Sequence, residues 1–384
     1  MRPWRSVCAL ALVGWPAFRA APARAAEVET WGGEVVSGAL SLADGAFHVK
    51  NGAEDKKIPV ANLFCARFPG QAAAVPANQG LFLFRDGSSL SAPIPLGNCR
   101  GTWAIVRNGA KFEVPADHLQ ALELAPLLPG VQPEAGPDKP HLVMRNGKIM
   151  PCELEWLTAI EAGVRNDAGR LRLRLENVHR FVFFPAATVT HPDNAFRVQA
   201  YSGDTVFGVI EKFDAKVLRV RNDAGKWEFS PAGLRVIDSC SPRAVSLLSL
   251  KPAKVTTVPY VDFVRPPRFG ASLTGGAIKI DGLPFATGIA MHSKTELAYD
   301  LGGGYSRFVA ELGLDTALGN HGDAVAVVRS GNAKLAEFRV NAASRVQHVS
   351  VSVKDVKTLV LVVDYGENGS SGDHVIWANP RLVK

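Results

Sequence analysis

Val164-Arg165-Asn166-Asp167-Ala168-Gly169 returns 56 residues later as Val220-Arg221-Asn222-Asp223-Ala224-Gly225. Two earlier forms, Val49-Lys50-Asn51-Gly52-Ala53 and Val106-Arg107-Asn108-Gly109-Ala110, stand 57 residues apart, and the second lies 58 before the third copy. A fixed period of this kind marks a repeat architecture. Upstream of each copy comes a second turn: Trp31-Gly32-Gly33, Arg85-Asp86-Gly87, Arg145-Asn146-Gly147 and Tyr201-Ser202-Gly203. Downstream, a short punctuated segment closes the unit, as in Pro59-Val60-Ala61-Asn62-Leu63, Pro115-Ala116-Asp117-His118-Leu119 and Pro231-Ala232-Gly233-Leu234, with Leu175-Glu176-Asn177-Val178 in the third copy.

Asn-Gly and Asp-Gly supply the positive φ angles of tight hairpins, and the flanking runs alternate, as in Leu171-Arg172-Leu173-Arg174-Leu175. Each unit therefore reads as strand, Gly turn, strand, strand, Asn turn, strand, a short turn of helix, strand. Five short strands in so few residues predict a small β-barrel, faintly similar to Sm-like or SH3-like barrels in turn spacing alone; a four-bladed, propeller-like closure is the competing arrangement. The units are placed at residues 26–70, 78–125, 141–184 and 195–240. Residues 126–140 form a Pro-rich linker, since five of the sixteen residues from 125 to 140 are proline.

Composition sets the outer limits. The chain has 384 residues, 47% of them hydrophobic and 21% charged, which fits a globular, turn-rich protein and excludes a disordered or collagen-like one. Of the formal +7, four charges belong to Arg2, Arg5, Arg19 and Arg24, leaving +3 beyond the first 25 residues. So weak a field gives no support to nucleic-acid or anionic-membrane binding. RNA binding through the barrels stays as a third possibility that export and charge both oppose. Those first residues carry Arg2 and Arg5, an apolar run over 6–18 and Ala23-Arg24-Ala25, the order of a secretory signal peptide, so residues 1–25 are expected to be removed and the mature protein exported to the periplasm or beyond the cell. No later run is long enough to span a bilayer. Cys65, Cys99, Cys152 and Cys240 lack C-x-x-C spacing; two disulfides or four buried thiols are both open.

From about residue 250 the repeat stops. Runs of β type at 277–280, 306–312, 324–329, 349–353 and 358–363, with no amphipathic helical stretch between them, predict an antiparallel sandwich over 250–384. The fold class is thus all-β: tandem small barrels followed by a sandwich.

Within that sandwich Gly288-Ile289-Ala290-Met291-His292-Ser293, Tyr299-Asp300-Leu301-Gly302-Gly303 with Tyr305 and Phe308, Gly313-Leu314-Asp315, and Gly372-Asp373-His374 with Trp377-Ala378 follow one another in order. These blocks resemble the NPCBM family of carbohydrate-binding modules over about a third of the chain. The resemblance implies a galactose-binding-like jelly roll, sugar binding by its end loops, and in many members a calcium ion. Ala290 departs from the family, which usually has Gly there.

Sugars are held by aromatic faces and planar polar side chains. His292, Tyr365 and His374 are the favoured glycan contacts, with Asn320 and Trp377 as further candidates; a place in the core is the competing account of Trp377. The oxygen-rich segment 364–373 offers Asp364 and Asp373 to calcium, although it lacks the spacing of an EF-hand loop. No G-x-S-x-G, H-E-x-x-H or phosphate-cradling loop occurs, so no catalytic residues are assigned and no other cofactor is expected. The reading is an exported, non-catalytic glycan-binding protein with the barrels as spacer or docking array. The alternative is a cell-envelope component that has lost sugar affinity and binds envelope proteins.

Overall fold

The computed structural model describes residues 25–384, leaving out 71–78, 100, 108–109, 129–130, 132–135, 186–188, 259–263 and 316–320. The leader sequence, the Asn turn of the second unit, part of the Pro-rich linker and Asn320 therefore lie wholly or largely outside the described residues.

The repeats share one plan, with the second strand continuous in the first and fourth units and split in the second and third. In the first, Ala26–Thr30, Val35–Ala43, Ala46–Asn51, Glu54–Pro59 and Leu63–Arg67 are strands, and Val60–Asn62 is a single turn of 3-10 helix before the last. The same turn recurs at Ala116–His118, Leu175–Asn177 and Pro231–Gly233. The upstream glycines Gly33, Gly87, Gly147 and Gly203 all sit at φ 84–88°. Their amides donate to the carbonyls of Thr30, Phe84, Met144 and Ala200 at 2.9–3.0 Å. A residue with a Cβ adopts that conformation poorly, which is why every copy has glycine.

The units are not strung out as independent spacers. The last strands of units one and four pair (Val236 opposite Arg67), as do those of units two and three (Ala121 opposite Val182). Further bridges join Thr205 to Ser89, Phe213 to Leu42 and Trp156 to Asn98. One continuous apolar core runs from Ala26 to Ile237 through all four units. Units this small bury too little apolar surface alone, so edge-to-edge pairing completes the core and removes exposed strand edges.

The carboxy-terminal region is a two-sheet antiparallel sandwich. One sheet holds Lys254–Thr257, Thr295–Asp300, Thr358–Tyr365, Asp323–Ser330 and Ala333–Asn341. The other holds Arg268–Phe269, Gly288–Met291, Val375–Val383, Arg307–Leu314 and Gln347–Ser352, with Ala244–Ser246 added beside Val375–Val383. Asp323–Ser330 alternates buried and half-exposed residues, whereas Arg307–Leu314 is buried at every position but the first. The difference has a tertiary cause: the outer face of the second sheet is covered in part by the repeats, where Val309 and Val383 pack with Trp31, Phe64 and Cys65, and in part by Ile278, Ile280 and Phe285, which pack on Ala290, Ile376 and Ala378. Glu29 of the first strand is buried in this junction, accepting hydrogen bonds from Arg67 (3.2 Å), Ser350 (3.2 Å) and Arg307, with His348 at 3.1 Å. Asp238 of the fourth unit likewise receives Arg381 (2.9 Å) and Arg197. Repeats and sandwich thus meet through a buried, charged seam.

Candidate functional site

Three loops meet at one end of the sandwich. The turn after Gly288–Met291 carries His292, Ser293 and Lys294; the loop from Gly366 to His374 follows Thr358–Tyr365; and Asp315, His321 and Gly322 border the segment that precedes Asp323–Ser330. Glycine lets their backbones touch. A Cβ on Gly366 would come within 2.1 Å of the Asp323 carbonyl oxygen, and one on Gly322 within 2.2 Å of that of Gly372. The glycines of the 364–373 segment thus serve close backbone approach. Asp323 then clamps the loop: its backbone carbonyl accepts from Gly366 N–H at 2.7 Å and its carboxylate from Glu367 N–H at 2.8 Å, while Arg339 grips both Asp323 and Glu367 at 2.8 Å.

The cluster brings two of the expected glycan contacts together. The rings of His292 and His374 lie 5.7 Å apart at 62°, and Arg265, 109 residues distant in sequence, donates from Nη1 to His374 Nε2 at 3.1 Å. Because a guanidinium only donates, Nε2 accepts, and the His374 proton sits on Nδ1, which is buried without a partner among the described residues. Burial, then the Arg265 guanidinium and the neighbouring His374, push the His292 imidazole down to about 4. Burial and Arg265 also lower His374. Both rings are therefore neutral at pH 7; His374 is buried and spends its acceptor nitrogen on Arg265, which it holds in place, whereas the half-buried His292 keeps one donor and one acceptor nitrogen, the bifunctional chemistry that a sugar hydroxyl matches.

Tyr365 ends its strand half-buried, with the Lys294 ammonium 5.1 Å from its ring centroid. Trp377 does not join the site. It is fully buried against Phe308, at 5.8 Å between ring centroids, because Val375–Val383 is covered on both faces; it is a core residue and has no face for a sugar. The residues offered to calcium do not fit that ion. Asp364 is ion-paired with Lys294 at 2.7 Å, and Asp373, fully buried, turns inward to accept from Asp323 N–H at 3.1 Å. Burial raises the Asp373 carboxyl to about 6. Among the described residues no three His, Cys, Asp or Glu side chains converge on a common point.

Arg265 and Lys294 were missed by sequence reasoning. Arg265 belongs to the stretch Val264-Arg265-Pro266-Pro267, whose prolines read as connector; the pre-proline bias to extended backbone that aims it at the loops is the one local signal it carries.

Residues 245–383 match the NPCBM/NEW2 domain. The carboxy-terminal third is an NPCBM/NEW2 domain. Its boundaries coincide with the strands from Ala244–Ser246 to Val375–Val383, so the domain is the sandwich itself. No curated protein matches the chain. Among solved structures the chain is similar to the CBM51-2 and INT domains of Clostridium perfringens ZmpB, at 24% identity and TM-score 0.34 over 44% of this chain and 36% of that one. It is also similar to a CBM51 module of a Clostridium perfringens GH95 protein solved with methyl-galactose, at 23% identity and TM-score 0.33 over 36% of this chain and 99% of that one. A third is the tandem CBM51 pair of a family 98 glycoside hydrolase from Streptococcus pneumoniae, at 12% identity and TM-score 0.33 over 63% and 87%. The chain thus spans about a third of the first of these and nearly all of the second.

Outside the NPCBM/NEW2 domain, a cleft of about 450 Å³ between the second and fourth units is lined by Asp86, Asp117, His191 and Asp223. Asp86 accepts from Ser88 N–H (2.9 Å), Ser88 Oγ (3.0 Å) and Asn222 Nδ2 (2.7 Å), which ties the Gly turn of one unit to the Asn turn of another. Cys65, Cys99, Cys152 and Cys240 are free thiols, and burial pushes Cys99 and Cys240 up to about 12 and Cys152 to about 11, far from a reactive thiolate.

Proposed function

We propose that this protein is an exported, non-catalytic glycan-binding protein whose NPCBM/NEW2 domain holds carbohydrate in the loop cluster of His292, His374, Arg265 and Tyr365, with the four-unit body as its rigid base. The observation that carries the reading is the convergence of two neutral imidazoles and a guanidinium on one loop-built end of the sandwich. Rigid loops held by Asp323 and Arg339 present those groups with little ordering left for the ligand to impose, which favours binding of a weakly interacting sugar. Export is supported by the leader-like first 25 residues, and no helix among the described residues is long and apolar enough to cross a membrane.

A printed glycan array probed with the whole protein tests the reading. Binding is expected, and His292→Ala, Arg265→Ala and His374→Ala should each weaken it about tenfold, the cost of one lost hydrogen bond to a partly charged group. A silent array, or variants that bind as the parent does, would sink it.

A further inference from the structure

The outward face of the third unit differs from those of its siblings in one row. In the first unit the row beside the core-facing Leu42, Phe47 and Ile58 is Ser41, His48 and Lys57. In the fourth, beside Phe213, Leu218 and Phe229, it is Lys212, Arg219 and Glu228. Both rows are polar, as an outward row should be. In the third, beside Leu157, Ala162 and Leu173, it is Trp156, Gly163 and Arg172, and Asn98 extends it on the far side of Trp156.

Trp156 lies flat on Gly163: a Cβ there would come within 2.1 Å of the indole Cε2 and Nε1. The Arg172 guanidinium stands 5.8 Å from the ring centroid. Glu153 with Arg165 (2.6 Å) and Glu155 with Arg170 (3.0 Å) frame the row. Units one and four close without an aromatic here, so closure does not require one, and the place of Gly163 in this row is taken by His48 and Arg219 in the siblings, so glycine is not required there by the unit's own fold.

We infer that the row Asn98–Trp156–Gly163–Arg172 is a second saccharide-binding platform, separate from the sandwich site and independent of it. The indole supplies an apolar surface for the C–H face of a pyranose, while Asn98 and Arg172, from the strands on either side, supply an amide and a guanidinium for ring hydroxyls. The row runs across a sheet face, so it suits an internal residue of a polysaccharide chain. The ring needs no ordering on binding, because Gly163 beneath it and Arg172 beside it already hold it.

Affinity electrophoresis of the whole protein through gels containing galactan, xylan or glycol chitin tests this. With the sandwich site disabled by Arg265→Ala and His292→Ala together, the protein should still be retarded in at least one gel, and Trp156→Ala on that background should weaken retardation about fivefold. Retardation abolished by the sandwich pair alone assigns all binding to the sandwich and overturns the platform. So does a Trp156→Ala protein that migrates like its background, or a parent that no gel retards. Should Trp156→Ala lower the melting temperature markedly, Arg172→Ala and Asn98→Ala, which leave the Trp–Gly contact in place, carry the test: both weakening retardation supports the platform, and both migrating like the background overturns it.

Discussion

His292 is held near a pKa of about 4, below the ordinary 6.5, by burial and by Arg265 and His374, so it stays neutral until the medium is well acidic. If the glycan uses its acceptor nitrogen, affinity should be flat from pH 7 to about pH 5.5 and fall as pH drops through about 4; titration calorimetry at three pH values reads this, and a midpoint near 6.5 would exclude His292 from the contact. The same depressed value makes His292 a stability term that is present above pH 6.5 and lost as pH falls from there toward 4. His292 and His374 were legible in the sequence because polar aromatic residues in a glycine-rich context point to loops. Arg265 was not, since nothing local encodes a partner 109 residues away. Trp377 misled for a related reason: residue type tells what a side chain offers, and only packing tells which way it faces.

In the first and fourth units, Gly38 and Gly208 occupy the same place in the second strand, where it curls over the third. A Cβ would meet the carbonyl oxygen of Lys50 at 2.5 Å or of Arg221 at 2.3 Å, a backbone contact that no rotamer change relieves. Gly208→Ala should therefore cost about 1–3 kcal/mol, seen as a lower urea midpoint. An unchanged midpoint would show that the strand shifts freely and that the close approach is not enforced. Glycine inside a strand is readable from sequence as a site of close backbone approach, but its partner strand is not. The turns were the most legible elements, because the φ of Gly33, Gly87, Gly147 and Gly203 is imposed by residue type within four residues of chain.

Across the molecule, Glu29 joins the first strand to a sandwich that begins more than two hundred residues later. Burial alone would raise its carboxyl, yet the hydrogen bond and charge of His348, with Arg67 and Arg307, hold it at about 2 against an ordinary 4.5. Its contribution is therefore present above pH 4.5 and lost as pH falls from 4.5 toward 2. Glu29→Gln leaves buried guanidiniums without their counter-charge and should destabilise the protein by about 3–5 kcal/mol. Because the apolar junction of Trp31, Phe64, Val309 and Val383 ties the same two bodies, the parent should melt in a single calorimetric transition. Glu29→Gln should lower or split that transition. Two transitions in the parent, with Glu29→Gln moving neither, would show that the seam does not couple the bodies.

The sequence by itself determined the all-β class, the four repeated units and their turns, and the resemblance of the last third to the NPCBM family. Each of these rests on period, turn chemistry or a contiguous motif, all local properties of the chain. Only the tertiary structure decided that the units share one core, that the outer face of the sandwich is covered, that Arg265 meets His374, and that Asp364 and Asp373 are spent on neighbours. Those depend on strand edges and charges brought together from distant segments, and a side chain's role follows from what desolvates and pairs with it.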